Sequence, residues 1–136
     1  MFVFSEKPTF WWPVKPIEPD PDQPGKLIER EFEVLFELPT PEEAEADRKS
    51  RAALLEALLK PELSDDEYQT AQKSLRDFDD ALALRRIRDW RKIENKAGEA
   101  LPFLLFPKVF AYQNVKAAID RAYGEAISED KARLGN

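Results

Sequence analysis

Between Ser64 and Trp90 apolar side chains return at steps of three and four: Tyr68, Ala71, Leu75, Phe78, Leu82 and Trp90, with Ile87 on the flank. Asp77, Asp80, Arg85 and Arg88 fall toward the polar side. This is the period of one helix face, so the spacing predicts the longest helix of the chain, its stripe turned toward a core. The start is written in Ser64-Asp65-Asp66-Glu67. The hydroxyl can accept from the backbone N–H three residues on, Glu67 can reach back, and the acids sit at the positive end of the helix dipole.

The period changes to two over Lys26 to Leu38. There Ile28, Phe32, Val34, Phe36 and Leu38 alternate with Glu29, Glu31, Glu33 and Glu37, as in a strand wet on one side. Arg30 and Leu35 break the alternation, one on each face, which marks either a bulge or a second apolar contact surface. Thr9 to Ile17 carries Phe10, Trp11, Trp12 and Val14, but Pro13 and Pro16 withhold ladder donors, so it fits only a sheet edge. The alternating prolines of Glu18 to Gly25 make a turn or exposed loop between the two.

Thr40-Pro41-Glu42-Glu43 reads as an N-cap, a proline at the first helical position and acids in the first turn. The helix it opens should end near Lys60, with Leu54, Leu55, Leu58 and Leu59 in its C-terminal half and a polar Glu45 to Arg51 in solvent. Pro61 ends it, Ser64 starts the long helix, and the two form an αα-hairpin. Arg91 to Ala100, with Asn95 and Gly98, is a loop or small hairpin, and Leu101 to Pro107 is an apolar cluster too proline-bound for a helix of its own. A brief helix over Lys108 to Gln113 precedes a last one that Asn114 can cap, with Val115, Ala118, Ile119, Ala122 and Tyr123 on one face. The expected fold is α+β in a single domain over 1–136. It has an N-terminal antiparallel β-hairpin of edge strands over 9–38, a small bundle of three to four helices over 40–127 and a frayed C-terminus over 128–136.

Composition narrows what such a fold can do. A net charge of −6 without any basic run speaks against a nucleic-acid partner, because phosphate binding needs clustered Lys and Arg. The chain has no cysteine and no histidine, which removes disulfides, thiolate nucleophiles and the commonest metal ligand and general base. Met1-Phe2-Val3-Phe4-Ser5 lacks the charged start and sustained apolar run of a signal peptide, and nowhere do eighteen apolar residues follow one another. No membrane partner is expected, and a reducing cytoplasm is permitted.

The acidic groups Asp65 to Glu67 and Asp77, Asp79 and Asp80 lack the spacing of a calcium loop, and the first of them is accounted for by a helix start. Arg85, Arg86, Arg88 and Arg91 are interrupted by Asp89 and followed by Glu94, which suits a solvated helix end. No catalytic residue, metal ligand or cofactor is expected, and an enzyme is not. The aromatics are a different matter. Trp11 and Trp12, neighbours on a strand, point to opposite faces, so one can enter a core while the other must find cover. Phe103, Phe106, Phe110 and Tyr112 crowd a loop-rich segment, and Leu35 interrupts a strand. These seven residues either fill the domain's own core or form an apolar surface for a protein partner.

The pattern as a whole resembles the small tail assembly chaperones of long-tailed bacteriophages and prophages. The resemblance rests on Trp11-Trp12-Pro13-Val14 as an aromatic-Pro-Val strand and Glu31-Phe32-Glu33-Val34-Leu35-Phe36 as its hairpin partner. It continues in Asp89-Trp90-Arg91-Lys92-Ile93 before Gly98 and Leu101-Pro102-Phe103, and in a closing helix with Val115 to Ile119 and Ala122-Tyr123. Pro16 and the polar Glu42 to Arg51 depart from it. It implies a non-catalytic holdase of the bacterial host cytoplasm. Such a protein binds the tape measure protein during tail morphogenesis, helps bring tail-tube subunits to it and is absent from the finished particle; a homo-oligomer is open. The alternative from another class is a permanent phage structural subunit of the tail-completion or connector type.

Overall fold

The structure, a computed structural model, describes residues 1–129 and Leu134, so most of the end expected to fray, 128–136, lies outside the described residues. The fold is α+β: among the described residues there are a three-stranded sheet, a two-stranded extension and four α-helices. Strands β1 (Thr9–Val14), β2 (Ile17–Pro19), β3 (Leu27–Glu29) and β4 (Phe32–Glu37) come first. Helices α1 (Pro41–Leu58) and α2 (Asp65–Arg86), strand β5 (Ile87–Arg91), and helices α3 (Phe106–Phe110) and α4 (Gln113–Ile127) follow. The sheet order is β1-β4-β5, and the chain divides into two compact units, residues 10–36 with 88–136 and residues 1–9 with 37–87.

In the first of these units β4 is the middle strand, and its burial alternates residue by residue: Phe32, Val34 and Phe36 are buried while Glu33 and Leu35 are half-buried on the opposite face. The strict period of two has become a strand with one core face. β1 lies beside it at the edge that Pro13 can tolerate. β2 and β3 pair antiparallel, Ile17 opposite Glu29 and Pro19 opposite Leu27. The Arg30 N–H donates to the Pro16 carbonyl at 2.9 Å and the Leu38 N–H to the Pro8 carbonyl at 3.0 Å, on that same register. The expected hairpin over 9–38 is therefore one antiparallel ribbon, interrupted at the Arg30 flagged by the broken alternation and closed by a turn in which Gly25 takes φ 83°.

The core of this unit is aromatic. Trp90 is buried and its indole N–H donates to the Leu101 carbonyl at 2.8 Å. Its ring lies 6.3 Å from Phe32, 5.9 Å from Phe103 and 5.7 Å from Phe106, and Phe106 stacks on Phe110 at 5.3 Å. Ala118, Ile119 and Ala122 of α4 are buried and Tyr123 packs on Phe36 with ring centroids 5.5 Å apart, so the apolar face read for the last helix is the face it buries. Its cap differs: α4 begins after Tyr112 with no side-chain cap. Asn114 lies inside the helix and donates from its amide to the Ile17 carbonyl at 3.2 Å.

The second unit contains an αα-hairpin. Thr40 caps α1, its hydroxyl accepting from the Glu43 N–H at 3.2 Å, and Pro41 opens the helix. Lys7 bonds Glu43 at 2.9 Å and, as the leading cause, holds that carboxyl below its ordinary pKa. Ser64 caps α2 with the full capping box: its hydroxyl accepts from the Glu67 N–H at 3.1 Å and the Glu67 carboxylate accepts from the Ser64 N–H at 3.3 Å. Between them Glu62 takes φ 63°, a left-handed conformation that costs a side chain free energy and turns the chain sharply. The helices run antiparallel, since Arg51 bonds Asp79 at 2.9 Å and Arg85 bonds Asp47 at 2.9 Å.

Two expectations for the long helix are corrected. It ends at Arg86, and Ile87 to Trp90 belong to strand β5. Ile87 and Trp90 are three apart, a spacing that suits a helix face. With β4 at hand as a hydrogen-bonding partner, β-branched and aromatic residues take the strand instead. The strand is irregular, for the Trp90 N–H is taken by the Asp89 carboxylate at 2.8 Å. The stripe of α2 also lacks the expected core: neither α1 nor α2 has a single buried residue.

Candidate functional site

Chemistry that makes or breaks bonds needs reactive groups held together and partly desolvated. Among the described residues no group of three or more His, Cys, Asp or Glu side chains is placed to hold a metal ion. The acids at Asp65, Asp66 and Glu67 occupy the first turn of α2, where Glu67 is a capping group.

The seven residues singled out as a partner surface are not one surface. Phe106 and Phe110 are buried at 2% and 5% exposure; they pack in the aromatic core around Trp90 and are withdrawn from the candidate surface. Phe103 is half-buried against Trp90 and Phe106, whereas Tyr112 is 65% exposed at the start of α4. Trp11 and Trp12 are both half-buried, so neither enters the core completely and neither stands free. Trp12 lies edge-on to Phe10 with centroids 6.4 Å apart on the core side. Trp11 faces the other way with Leu35, also half-buried, and is covered by the Arg91 guanidinium 4.1 Å from its ring centroid. Arg91 bonds Glu33, and Lys92 reaches the same carboxylate at 3.3 Å. The hydrogen bond from Arg91 is the main reason the Glu33 carboxyl lies below its ordinary pKa, with Lys92 adding to it and partial desolvation opposing. This cation–π and ion-pair lattice partly covers the second face of the sheet at Trp11.

A cleft of about 310 Å³ in the same unit lies between Trp12, Lys15 and Glu29 on one side and Ala118, Arg121 and Glu125 on the other. Arg121 spans it by donating to the Lys15 carbonyl at 2.9 Å. The bond also satisfies one outward backbone group of the edge ribbon, which blunts that edge against pairing with another strand.

The more open surface belongs to the helical hairpin. Leu54 and Ala57 of α1, Leu63 of the connection and Ala71 of α2 form an apolar groove of about 480 Å³, edged by Lys60, Asp66, Glu67, Thr70 and Ser74. Leu55 and Leu59 beside it are exposed at 37% and 81%. Charge is divided unevenly. The unit with the hairpin holds 14 acidic and 9 basic side chains, a net of −5, and the sheet unit holds 13 and 12, a net of −1. Nearly all the excess negative charge of the protein is carried by the groove's own unit. Sequence reasoning did not single out this groove, although the leucines gathered in the C-terminal half of α1 were its signal. It missed too the exposed run of Phe2, Val3 and Phe4 and the exposure of Leu104 at 87%.

Among the described residues no helix is long and apolar enough to cross a membrane. No family model, no curated protein and no solved structure matches the chain.

Proposed function

We propose that this protein is a non-catalytic holdase of the phage tail assembly type, acting in the bacterial host cytoplasm, which keeps the tape measure protein soluble until tail-tube subunits enclose it. The observation that carries the reading is the helical hairpin: two long helices with apolar stripes and not one buried residue between them. A half-open apolar face on a strongly acidic unit combines what reversible helix binding requires. Apolar area withholds a partner helix from aggregation, net charge keeps the complex dissolved, and the modest contact allows release. The resemblance of Trp11 to Val14, Glu31 to Phe36 and Asp89 to Ile93 to the chaperone pattern supplies the partner's identity.

The test is co-expression with a phage tape measure protein from the same genome. The tape measure protein should remain in the soluble fraction with the protein present, sediment without it, and co-purify with it before tail completion. Tape measure protein that is equally soluble in both cases ends the reading. A permanent tail-completion or connector subunit is the second reading, favoured by Leu104 and Tyr112, whose exposure on the sheet unit would suit a standing interface. Recovery of the protein in purified virions at fixed stoichiometry would decide for it.

A further inference from the structure

We propose that the groove between the C-terminal half of α1 and the N-terminal half of α2 is the docking site for one amphipathic helix that carries Lys or Arg beside its apolar ridge. The inference rests on the holdase reading for the natural partner and on the groove alone for the chemistry it selects.

The floor has the right shape for a third helix. Ala57 and Ala71 are small, and Thr70 and Ser74 on the α2 wall are short, so a helix can approach to the roughly 8–10 Å interaxial distance of helix packing without displacing a large side chain. Leu54 and Leu63 supply apolar contact at the two sides. Such a floor takes residues at i, i+3 or i+4 and i+7 of an incoming helix.

Charge decides which helix. Asp66 and Glu67 edge the groove with only Lys60 opposing them, and Glu62 and Asp65 are exposed next to them. The positive N-terminal dipole of α2 offsets part of this, but the acids outnumber it and the unit as a whole carries a net of −5. A second copy would set another unit of net −5 against this one, so like-charge repulsion disfavours self-association there. A Glu-rich helix meets the same repulsion. A helix with basic flanks gains both the apolar contact and the field.

The experiment uses the full chain and two labelled synthetic peptides of about 18 residues with the same leucine ridge, long enough to form a helix on binding, one flanked by Lys and one by Glu. Fluorescence anisotropy should show saturable binding of the Lys peptide, weaker by about tenfold or more for the Glu peptide at low salt, with the gap narrowing as salt is raised. Ala57→Gln, which places an amide in the groove floor, should weaken the Lys peptide by about tenfold. Ser74→Gln, on an exposed wall position, provides the same obstruction if Ala57→Gln fails to fold by circular dichroism. Asp66→Asn should weaken it several-fold and flatten the salt dependence. Equal binding of the two peptides, absence of saturable binding, or binding untouched by a folded groove variant overturns the proposal. A concentration-dependent dimer abolished by the groove variants overturns it in favour of a second copy. If wild type and a folded groove variant both keep tape measure protein soluble, the groove assignment falls and the holdase reading stands. If the Lys peptide binds through the groove while tape measure protein is not held soluble, the reverse follows.

Discussion

The sheet unit and the helical hairpin bury apolar side chains to different ends. In the sheet unit a short, alternating strand with three buried residues, β4, is flanked by two others, and Trp90, Phe106 and Phe110 complete a closed aromatic cluster. In the hairpin, 40 residues in two helices leave every apolar side chain partly wet. Length of an element is thus a poor guide to how much of the core it supplies. Stability in this protein is concentrated where apolar residues are shut away from water on all sides, and surface available for a partner is concentrated where they are not.

The sharpest way to break this comparison is at Trp90. Trp90→Ala removes a buried ring and the indole hydrogen bond to Leu101, and should cost ~3–5 kcal/mol, enough to unfold a domain of ordinary stability. A thermal melt near that of wild type would show that the cluster is not the stabilising centre. Phe78→Ala in α2 tests the opposite side. Its ring is only half-buried, so the loss should be about 1–2 kcal/mol, smaller than that at Trp90, and a loss as large would mean that the hairpin stripe is a true core.

Ser64→Ala should lower stability by about 1 kcal/mol through loss of the capping box, while Ser64→Asp, which keeps an acceptor, should be nearly neutral. Equal losses from the two in denaturant unfolding would remove the cap from the account. The smallest effect is a pH dependence at Glu33. Its carboxyl is depressed below 4.5 in the folded protein, chiefly by Arg91, so the unfolded chain binds the proton more readily and the contribution is present above the unfolded pKa. It is lost as pH falls through the folded value. The stability gap between wild type and Glu33→Gln should accordingly close on acidification from pH 6 to below 4.5, and a gap independent of pH would detach Glu33 from the Arg91 and Lys92 lattice.

Both helix starts were legible because capping is local: Thr40 and Ser64 each bond an N–H three residues ahead, and nothing distant is needed to complete the motif. The alternation of Phe32, Val34 and Phe36 was legible for a similar reason, since a period of two with acids between leaves one face for burial. The end of α2 was not. Ile87 and Trp90 satisfy a helical spacing, and only the presence of β4 as a hydrogen-bonding neighbour places them in a strand, one irregular enough to bury both. The burial of the aromatic set was not legible either. An aromatic residue carries no mark of whether its ring will be enclosed, so Phe106 and Phe110 looked the same as Tyr112 in sequence and differ from it entirely in burial.

Local chemistry by itself determined the α+β class, the antiparallel ribbon over 9–38, the two caps and the buried face of α4, because each is encoded within a few residues by hydrogen-bond donors, charges and side-chain period. Tertiary structure alone decided that Trp90 sits in a strand, that Trp11 lies under Arg91, and that the hairpin keeps its groove open. Those outcomes depend on which apolar surfaces meet across long stretches of chain, and burial is a property of the neighbours a residue acquires rather than of the residue.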